Sequence, residues 1–312
     1  MATSDQHGGL EPHAPARSTP GTVGPPPDQR PRRIGFKLSA ALLAAIAAVV
    51  VVVAVSTAPT ASPASSATAP GSADQQESVP VVDPVPVSVG ELAALPQATT
   101  DGTVASAPID PVRDAAPSGR IVHPAATVAV YREPGGEAIA ALPPTQFRSD
   151  TWLPVIAEQP GWVQVMLPVR PAGATGWLYL DDPQITLART PYRIVLDRAA
   201  FTLMLFDGDR QTGRWTVGVG KAKSVTPAGR TFVLATIKDD HPTFSPVIMP
   251  LGTHSATYTT YGGGPGTVGI HTWAHSDAVY GTQSSDGCIR VPPDALAVLS
   301  TQILPGTPVL IR

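Results

Sequence analysis

From residue 120 to the C-terminus, apolar and polar residues alternate in short bursts separated by turn residues, the period expected of half-buried strands. Thr127 to Tyr131 alternates, Pro134-Gly135-Gly136 turns, and Glu137 to Leu142 runs again. Trp152 to Ala157, Gly161 to Val165 and Gly176 to Leu180 continue the series. This spacing predicts a small all-β domain over 120–185, a compact barrel or sandwich. A second set follows over 190–312. Leu203 to Phe206 and Trp215 to Val219 flank an Asp207-Gly208 turn, Phe232 to Ile237 reads as a strand, and Val268 to His271 follows a glycine-rich loop. Only Asp294 to Leu304 carries a helical pattern, with prolines at its start. The fold class is mainly β.

Upstream the pattern changes twice. Leu38 to Val55 is one apolar run of 18 residues, which as a helix would span about 27 Å, close to a bilayer core. Arg30, Arg32, Arg33 and Lys37 precede it, and no Lys or Arg follows until Arg113. That asymmetry predicts a single-pass transmembrane helix over 38–55, with a disordered cytoplasmic tail over 1–37 and the remainder outside the cell. Small residues at Ala54 to Ala58 leave a cleaved, secreted form as the alternative. Residues 56–119, rich in Ala, Pro, Ser, Thr and Val without regular spacing, read as a Pro/Ala/Ser-rich linker. Val79 to Val89 alternates with proline and favours an extended conformation, and Gly90 to Leu95 offers at most one helical turn.

Composition narrows the function classes. A formal net charge of −3 gives no support for nucleic-acid binding. A single cysteine in 312 residues rules out an internal disulfide. None lies near the apolar run, so a lipid-modified cysteine anchor is excluded there.

That cysteine is the candidate centre of the chemistry. Gly269-Ile270-His271-Thr272-Trp273 is followed by Ser285-Asp286-Gly287-Cys288-Ile289-Arg290, with His271 seventeen positions before Cys288. An imidazole can take a thiol proton and turn sulfur into a nucleophile. Small flanking residues let a substrate approach, and Arg290 could hold a carboxylate or an oxyanion. An isolated cysteine is more often a buried structural thiol, so the neighbours decide the reading. A catalytic thiol of this kind is expected to alkylate fast near neutral pH and to slow when His271 is removed.

The block resembles the signature of the L,D-transpeptidases of the YkuD type. The likeness extends from about Tyr192 to Arg312 and includes a Gly220-Lys221 turn, a Thr226-Pro227-Ala228-Gly229 segment and a closing Gly306 to Val309 strand. The two Gly-Trp strands at Gly161-Trp162 and Gly176-Trp177 resemble bacterial SH3-like domains. The resemblance implies an SH3-like barrel followed by a β-sandwich with one helix near the cysteine. It implies a peptidoglycan cross-linking enzyme with no cofactor and no metal. Cys288 would be the nucleophile, His271 the general base and Gly287 part of the oxyanion loop, with Thr272, Ser285, Asp286 and Arg290 around the substrate. The substrates would be stem peptides, a donor tetrapeptide and an acceptor amine giving 3→3 cross-links, and carbapenem-type inhibitors would acylate Cys288. Water as acceptor would make the same site an L,D-carboxypeptidase.

Two positions depart from the family pattern: Thr272 stands where Gly is usual, and Asp286 where a second His is usual. A carboxylate beside the sulfur would raise the thiol pKa. Asp286 either points away into a hydrogen-bond network, or orients His271 as a triad acid does, or marks an impaired enzyme. The last case corresponds to a non-catalytic wall-binding scaffold. His254 and His275 are candidates to replace the missing imidazole, and Trp152, Trp162 and Trp177 are candidates for either a wall-binding groove or a barrel core. His271 and His275 have the i, i+4 spacing of a zinc helix but lack its glutamate, and the preceding Val-Gly-Ile favours a strand end.

Overall fold

The computed structural model describes residues 80–261 and 264–312. The cytoplasmic tail and the membrane span expected over 38–55 lie outside them. Among the described residues no helix is long and apolar enough to cross a membrane.

The segment before residue 120 is not the free linker its composition suggests, at least from residue 80 onward. Ser88 caps a short helix α1 (Val89–Ala94) through a reciprocal capping box with Glu91. On either side the chain runs as an extended strap laced to the β domain by its backbone. Trp162 Nε1 donates to Val82 O at 2.7 Å, Ala98 N to Ala141 O at 2.8 Å, and Asp110 N to Gly173 O at 2.9 Å. Ala98, Val104 and Ala107 are buried in the core. Proline and alanine cost little side-chain entropy when fixed. A segment that reads as a spacer therefore packs well once a sheet edge offers it partners.

The first β domain is a seven-stranded sheet. Its strands are β1 (Arg120–Pro124), β2 (Val128–Tyr131), β3 (Ala138–Leu142), β6 (Leu153–Gln159), β7 (Trp162–Met166), β8 (Thr175–Tyr179) and β9 (Ile185–Arg189), in the order β3-β2-β8-β7-β6-β1-β9. A small hairpin, β4 (Thr145–Gln146) with β5 (Ser149–Asp150), stands apart. The strands follow the alternation in the sequence, and β9 carries the sheet past the expected boundary at 185. Trp162 is fully buried and Trp177 nearly so, packed with Tyr131, which leaves neither for a binding groove. Trp152 is partly exposed and stacks on His123 at 5.0 Å.

The second domain is two facing sheets. One holds β10 (Tyr192–Asp197), β11 (Thr202–Asp207), β12 (Arg210–Thr216), β14 (Gly229–Phe232) and β20 (Pro308–Ile311), in the order β12-β11-β10-β20-β14. The other holds β15 (Ile237–Lys238), β16 (Val247–His254), β17 (Thr267–His271) and β19 (Ile289–Arg290) in that order. A two-stranded piece joins β13 (Val219–Gly220) to β18 (Gln283–Ser285). Ile194, Leu196, Leu203 and Leu205 of the first sheet meet Met249, Leu251, Val268 and Ile270 of the second in one core. The helix α2 (Pro293–Gln302) closes that core with Ala295, Leu296 and Leu299. The strand expected over Phe232 to Ile237 is broken because the chain changes sheets there. Val233 and Leu234 leave β20 and pair across to Leu251 and Pro250.

The two domains are bonded by side chains and by shared packing. Phe232 and Leu234 of the second domain are buried in the core of the first. Asp110 of the strap pairs with Arg230 of β14 in a bidentate contact through the Nε–Nη2 edge of the guanidinium, with side chains only 3% and 9% exposed.

Candidate active site

Parallel pairing of two strands brings the candidate residues together. β17 and β19 run in register with Ile270 opposite Ile289 and His271 opposite Arg290. Carried back one residue, that register sets Cys288 opposite Gly269. Residues two apart on a strand share a face, so His271 and Cys288 become diagonal neighbours on one side of the sheet. The backbone of Gly269, opposite Cys288 in this register, favours the thiolate form of its sulfur.

The histidine is oriented by its own neighbour. Its Nδ1 lies 2.6 Å from the carbonyl oxygen of Thr272. Only a donor can sit there, so the proton is on Nδ1 and Nε2 carries the free lone pair. Burial lowers the imidazole pKa, opposed by that bond and reinforced by the charge of Arg290. Phe244 packs edge-on against the ring at 5.0 Å. Thr272, expected near substrate, has its N–H bonded to Ser245 Oγ at 3.0 Å and its hydroxyl donated to Phe244 O at 3.3 Å. The side chain locks the turn that holds the imidazole.

The thiol is buried, 8% exposed, and burial pushes its pKa above the ordinary value. The Gly269 contact and the Arg290 charge oppose the rise, and Asp286 adds to it. Thiol and imidazole are therefore both neutral at rest.

The loop that carries Cys288 is braced from within and from outside. Ser285 is 1% exposed; its hydroxyl donates to Cys288 O at 2.6 Å and accepts from Gly287 N at 3.1 Å. Both bonds make it a brace within the loop. Gly287 adopts φ 118°, a conformation that L side chains rarely take. Since its N–H is already used by Ser285, the amide left for an oxyanion is that of Cys288, which finds no acceptor among the described residues. The two flanking motifs noted in the sequence meet here. Lys221 N donates to Ser285 O, and Thr226 Oγ1 accepts from Gly220 N while donating to Gly287 O at 2.9 Å.

Asp286 belongs to a network that points away from the imidazole. Its carboxylate is paired with Lys221 and accepts the Tyr258 hydroxyl at 3.2 Å. Its backbone oxygen accepts from Ser224 Oγ at 2.7 Å. The Lys221 hydrogen bond holds the carboxyl below its usual range, so it is ionised. It does not serve His271 as a triad acid, because Thr272 O occupies Nδ1. Arg290 is 8% exposed, lies over the Trp273 ring at 3.9 Å, and donates to Ser284 Oγ at 3.3 Å. Its Nε is buried without a hydrogen-bond partner among the described residues.

Neither spare histidine reaches the sulfur. His254 is buried and donates Nε2 to Thr100 O of the strap at 2.7 Å, and His275 stacks edge-on against Trp273 at 4.9 Å. Since His271 ends a strand, its i, i+4 partner is not on a shared helix face. Sequence reasoning missed Lys221, Ser224 and Tyr258 as members of the site. Lys221 had a signal in its Gly-Lys turn; Tyr258, in a loop without periodicity, had none.

Beside Thr272 lies a mainly apolar groove of about 660 Å³ whose lining includes Phe244, Trp273, His275, Asp277, Tyr280 and Leu296. Its size suits a peptide-sized ligand.

Residues 191–311 match the sequence model of the YkuD family, the L,D-transpeptidase catalytic domain. The match covers the two facing sheets, α2 and the whole His271–Cys288 site. No curated protein matches the chain. Among solved structures, an L,D-transpeptidase from Mycobacterium smegmatis is 18% identical, covering 48% of this chain and 90% of its own, with a TM-score of 0.33. The catalytic domain of the E. faecium L,D-transpeptidase is 24% identical, covering 39% and 96%, with a TM-score of 0.31. The L,D-transpeptidase LdtMt1, solved in complex with imipenem, is 12% identical, covering 48% and 91%, with a TM-score of 0.33.

Proposed function

We propose that the chain is an L,D-transpeptidase that forms 3→3 peptidoglycan cross-links through a Cys288 thioester. The observation that carries this reading is the Nδ1–Thr272 bond, which leaves Nε2 of His271 as a base on the face that bears the thiol. Substrate binding brings the scissile carbonyl, between the third and fourth stem residues, to the sulfur. Nε2 takes the thiol proton as sulfur bonds to the carbonyl carbon. The Cys288 N–H stabilises the oxyanion. Collapse breaks the C–N bond, and His271 returns the proton to the departing D-alanine. An acceptor amine then loses its proton to His271 and attacks the thioester, which restores the thiol. The apolar groove beside Thr272 supports binding of a peptide. Asp286, whose charge is paired with Lys221, is compatible with this chemistry.

The wider setting belongs to the same proposal. The apolar run at 38–55 would anchor the chain, with the tail in the cytoplasm and the catalytic unit at the cell wall; removal of that run would release a secreted form. The 120–185 sheet, with its two Gly-Trp strands, is read as an SH3-like domain. One observation favours a second reading, a non-catalytic scaffold: the thiol is buried, with its pKa raised.

Incubation of the full chain with disaccharide-tetrapeptide, followed by mass spectrometry, separates these readings. A dimer lacking one D-alanine, absent with Cys288→Ala, is the expected product. Tripeptide without dimer would make the protein a carboxypeptidase. Unchanged substrate, together with no Cys288 adduct from imipenem on folded protein, would leave the scaffold.

A further inference from the structure

The tyrosine that reaches Asp286 is held from outside its own domain. Arg170 lies between β7 and β8 of the first domain, and its guanidinium donates to three backbone carbonyls of the second. Nη1 is 3.4 Å from Ser255 O, and Nη2 is 3.2 Å from Tyr258 O and 2.9 Å from Pro265 O. Ser255 and Tyr258 lie on the outgoing arm of a loop after β16, and Pro265 lies on the arm that returns to β17. Ser255 N also donates to Gly266 O at 2.8 Å. A single planar fork thus closes the neck of the loop, a geometry that an ammonium group cannot reproduce.

The fork is itself fixed. Arg170 N donates to Gly102 O at 3.0 Å, and Val104 N donates to Arg170 O at 2.9 Å, so the strap grips this residue on both sides. The strap also holds the loop's root, through the His254 bond to Thr100 O. Gly266 has φ 74°, and a Cβ there would come within 2.9 Å of Arg170 Nη2 and overlap Tyr258 O. The neck is built around the guanidinium.

We propose that Arg170 is a positioning residue for the Cys288 site: by clamping this neck it sets Tyr258 on Asp286, two residues from the sulfur, and makes the first domain a working part of the active site. The proposal rests on the transpeptidase reading above. The line of contact runs from Arg170 to the Tyr258 backbone, through its hydroxyl to Asp286, and on to the Cys288 loop. Loss of the clamp frees the hydroxyl, leaves Lys221 as the remaining side-chain partner of Asp286, and lets the loop that presents the thiol shift.

The test measures turnover of disaccharide-tetrapeptide by the full chain for Arg170→Ala, Arg170→Lys, Tyr258→Phe and the double variant Arg170→Ala/Tyr258→Phe. Arg113→Ala is the control, because Arg113 joins the strap to Ala228 O at 2.8 Å without touching the loop. Misplacement of a reacting group is expected to lower kcat about tenfold in Arg170→Ala, with a smaller change in KM. Arg170→Lys should recover part of the loss, and Arg113→Ala should turn over at the wild-type rate. The double variant should be no slower than the slower single variant, since both act on one path. Wild-type kcat in Arg170→Ala, an equal loss in Arg113→Ala, or additive losses in the double variant would overturn the proposal. If Arg170→Ala does not fold, a reduced kcat in folded Arg170→Lys decides in its favour and an unchanged kcat against it. If wild-type protein turns nothing over, it is the function that fails, and iodoacetamide alkylation of Cys288 still reads the clamp. Arg170→Ala and Tyr258→Phe must then change that rate in the same direction and by the same factor; any other result overturns it.

Discussion

His271 donates its Nδ1 hydrogen to the carbonyl oxygen of Thr272, 2.6 Å away along its own chain. The base is thereby oriented by the backbone of the next residue, and no carboxylate is needed. Burial depresses the imidazole pKa and raises that of the thiol, so the resting pair carries no charge separation.

Iodoacetamide alkylation of Cys288 in the absence of substrate should therefore be slow at pH 7. It should climb along one titration whose midpoint lies above the ordinary thiol value of 9.0. His271→Ala should change this resting rate little while abolishing turnover. A flat, fast rate through neutrality would instead reveal a preformed thiolate–imidazolium pair and refute the neutral pair.

Asp286 adds to the raised thiol pKa even though Lys221 is bound to it. Removing the carboxylate leaves the lysine cation unpaired near the sulfur. Asp286→Asn should speed Cys288 alkylation at pH 8 by about threefold, the effect of withdrawing a screened negative charge. The same variant should slow turnover, because the Tyr258 and Lys221 contacts that steady the loop are weakened. Slower alkylation would show that the carboxylate aids the thiol.

Two buried imidazoles make the fold sensitive to acid. His254 and His271 both lie below the ordinary 6.5, chiefly through burial. Below pH 6.5 the unfolded chain binds more protons than the folded one. Stability is thus whole above 6.5 and is lost as pH falls through the folded values. Asp286, also depressed, acts in a separate window below its ordinary 3.8. Melting followed by circular dichroism should show Tm falling between pH 7 and pH 5. His254→Gln, which keeps a donor for Thr100 O, should flatten that slope. An unchanged slope would mean that His254 is not charged on unfolding.

The strap contributes stability through one ion pair. Asp110 and Arg230 are almost wholly buried, with both carboxylate oxygens bonded by the Nε–Nη2 edge of the guanidinium. Asp110→Ala strands a buried cation, at a cost on the order of 3–5 kcal/mol. Urea denaturation should show a loss of that order, against well under 1 kcal/mol for an exposed pair such as Arg210–Asp207. A small loss for Asp110→Ala would mean that water reaches the pair.

Local alternation made most strands readable, because a pleated chain with one buried face writes its period into the sequence. Val163 and Val165, both buried on β7 with the half-buried Gln164 between them, are an example. Cys288 and His271 were readable because their chemistry is rare and their setting compact. The surroundings of Asp286 were not, since Lys221 and Tyr258 reach it from separate segments and only folding brings them together. The strap was misread for a related reason. Its stability comes from backbone bonds to strands elsewhere, and Ala, Pro and Val look the same whether a sheet receives them or not. The break between Phe232 and Ile237 was hidden too, because a chain that changes sheets keeps its apolar pattern.

The strap also fixes a load path. It is seated against the Gly135 and Gly161 turns at Val82 and Val81, and it meets the catalytic domain at Thr100, Asp110 and Arg113. A pull applied through the residues before 80 would first meet the Val82–Trp162 and Val85–Tyr131 bonds at the far end of the first domain. Those bonds would give way in sequence, like a zip, before any strain arrived at the grip on Arg170. Tension on the strap would therefore be taken up by the first domain before it reached the thiol loop.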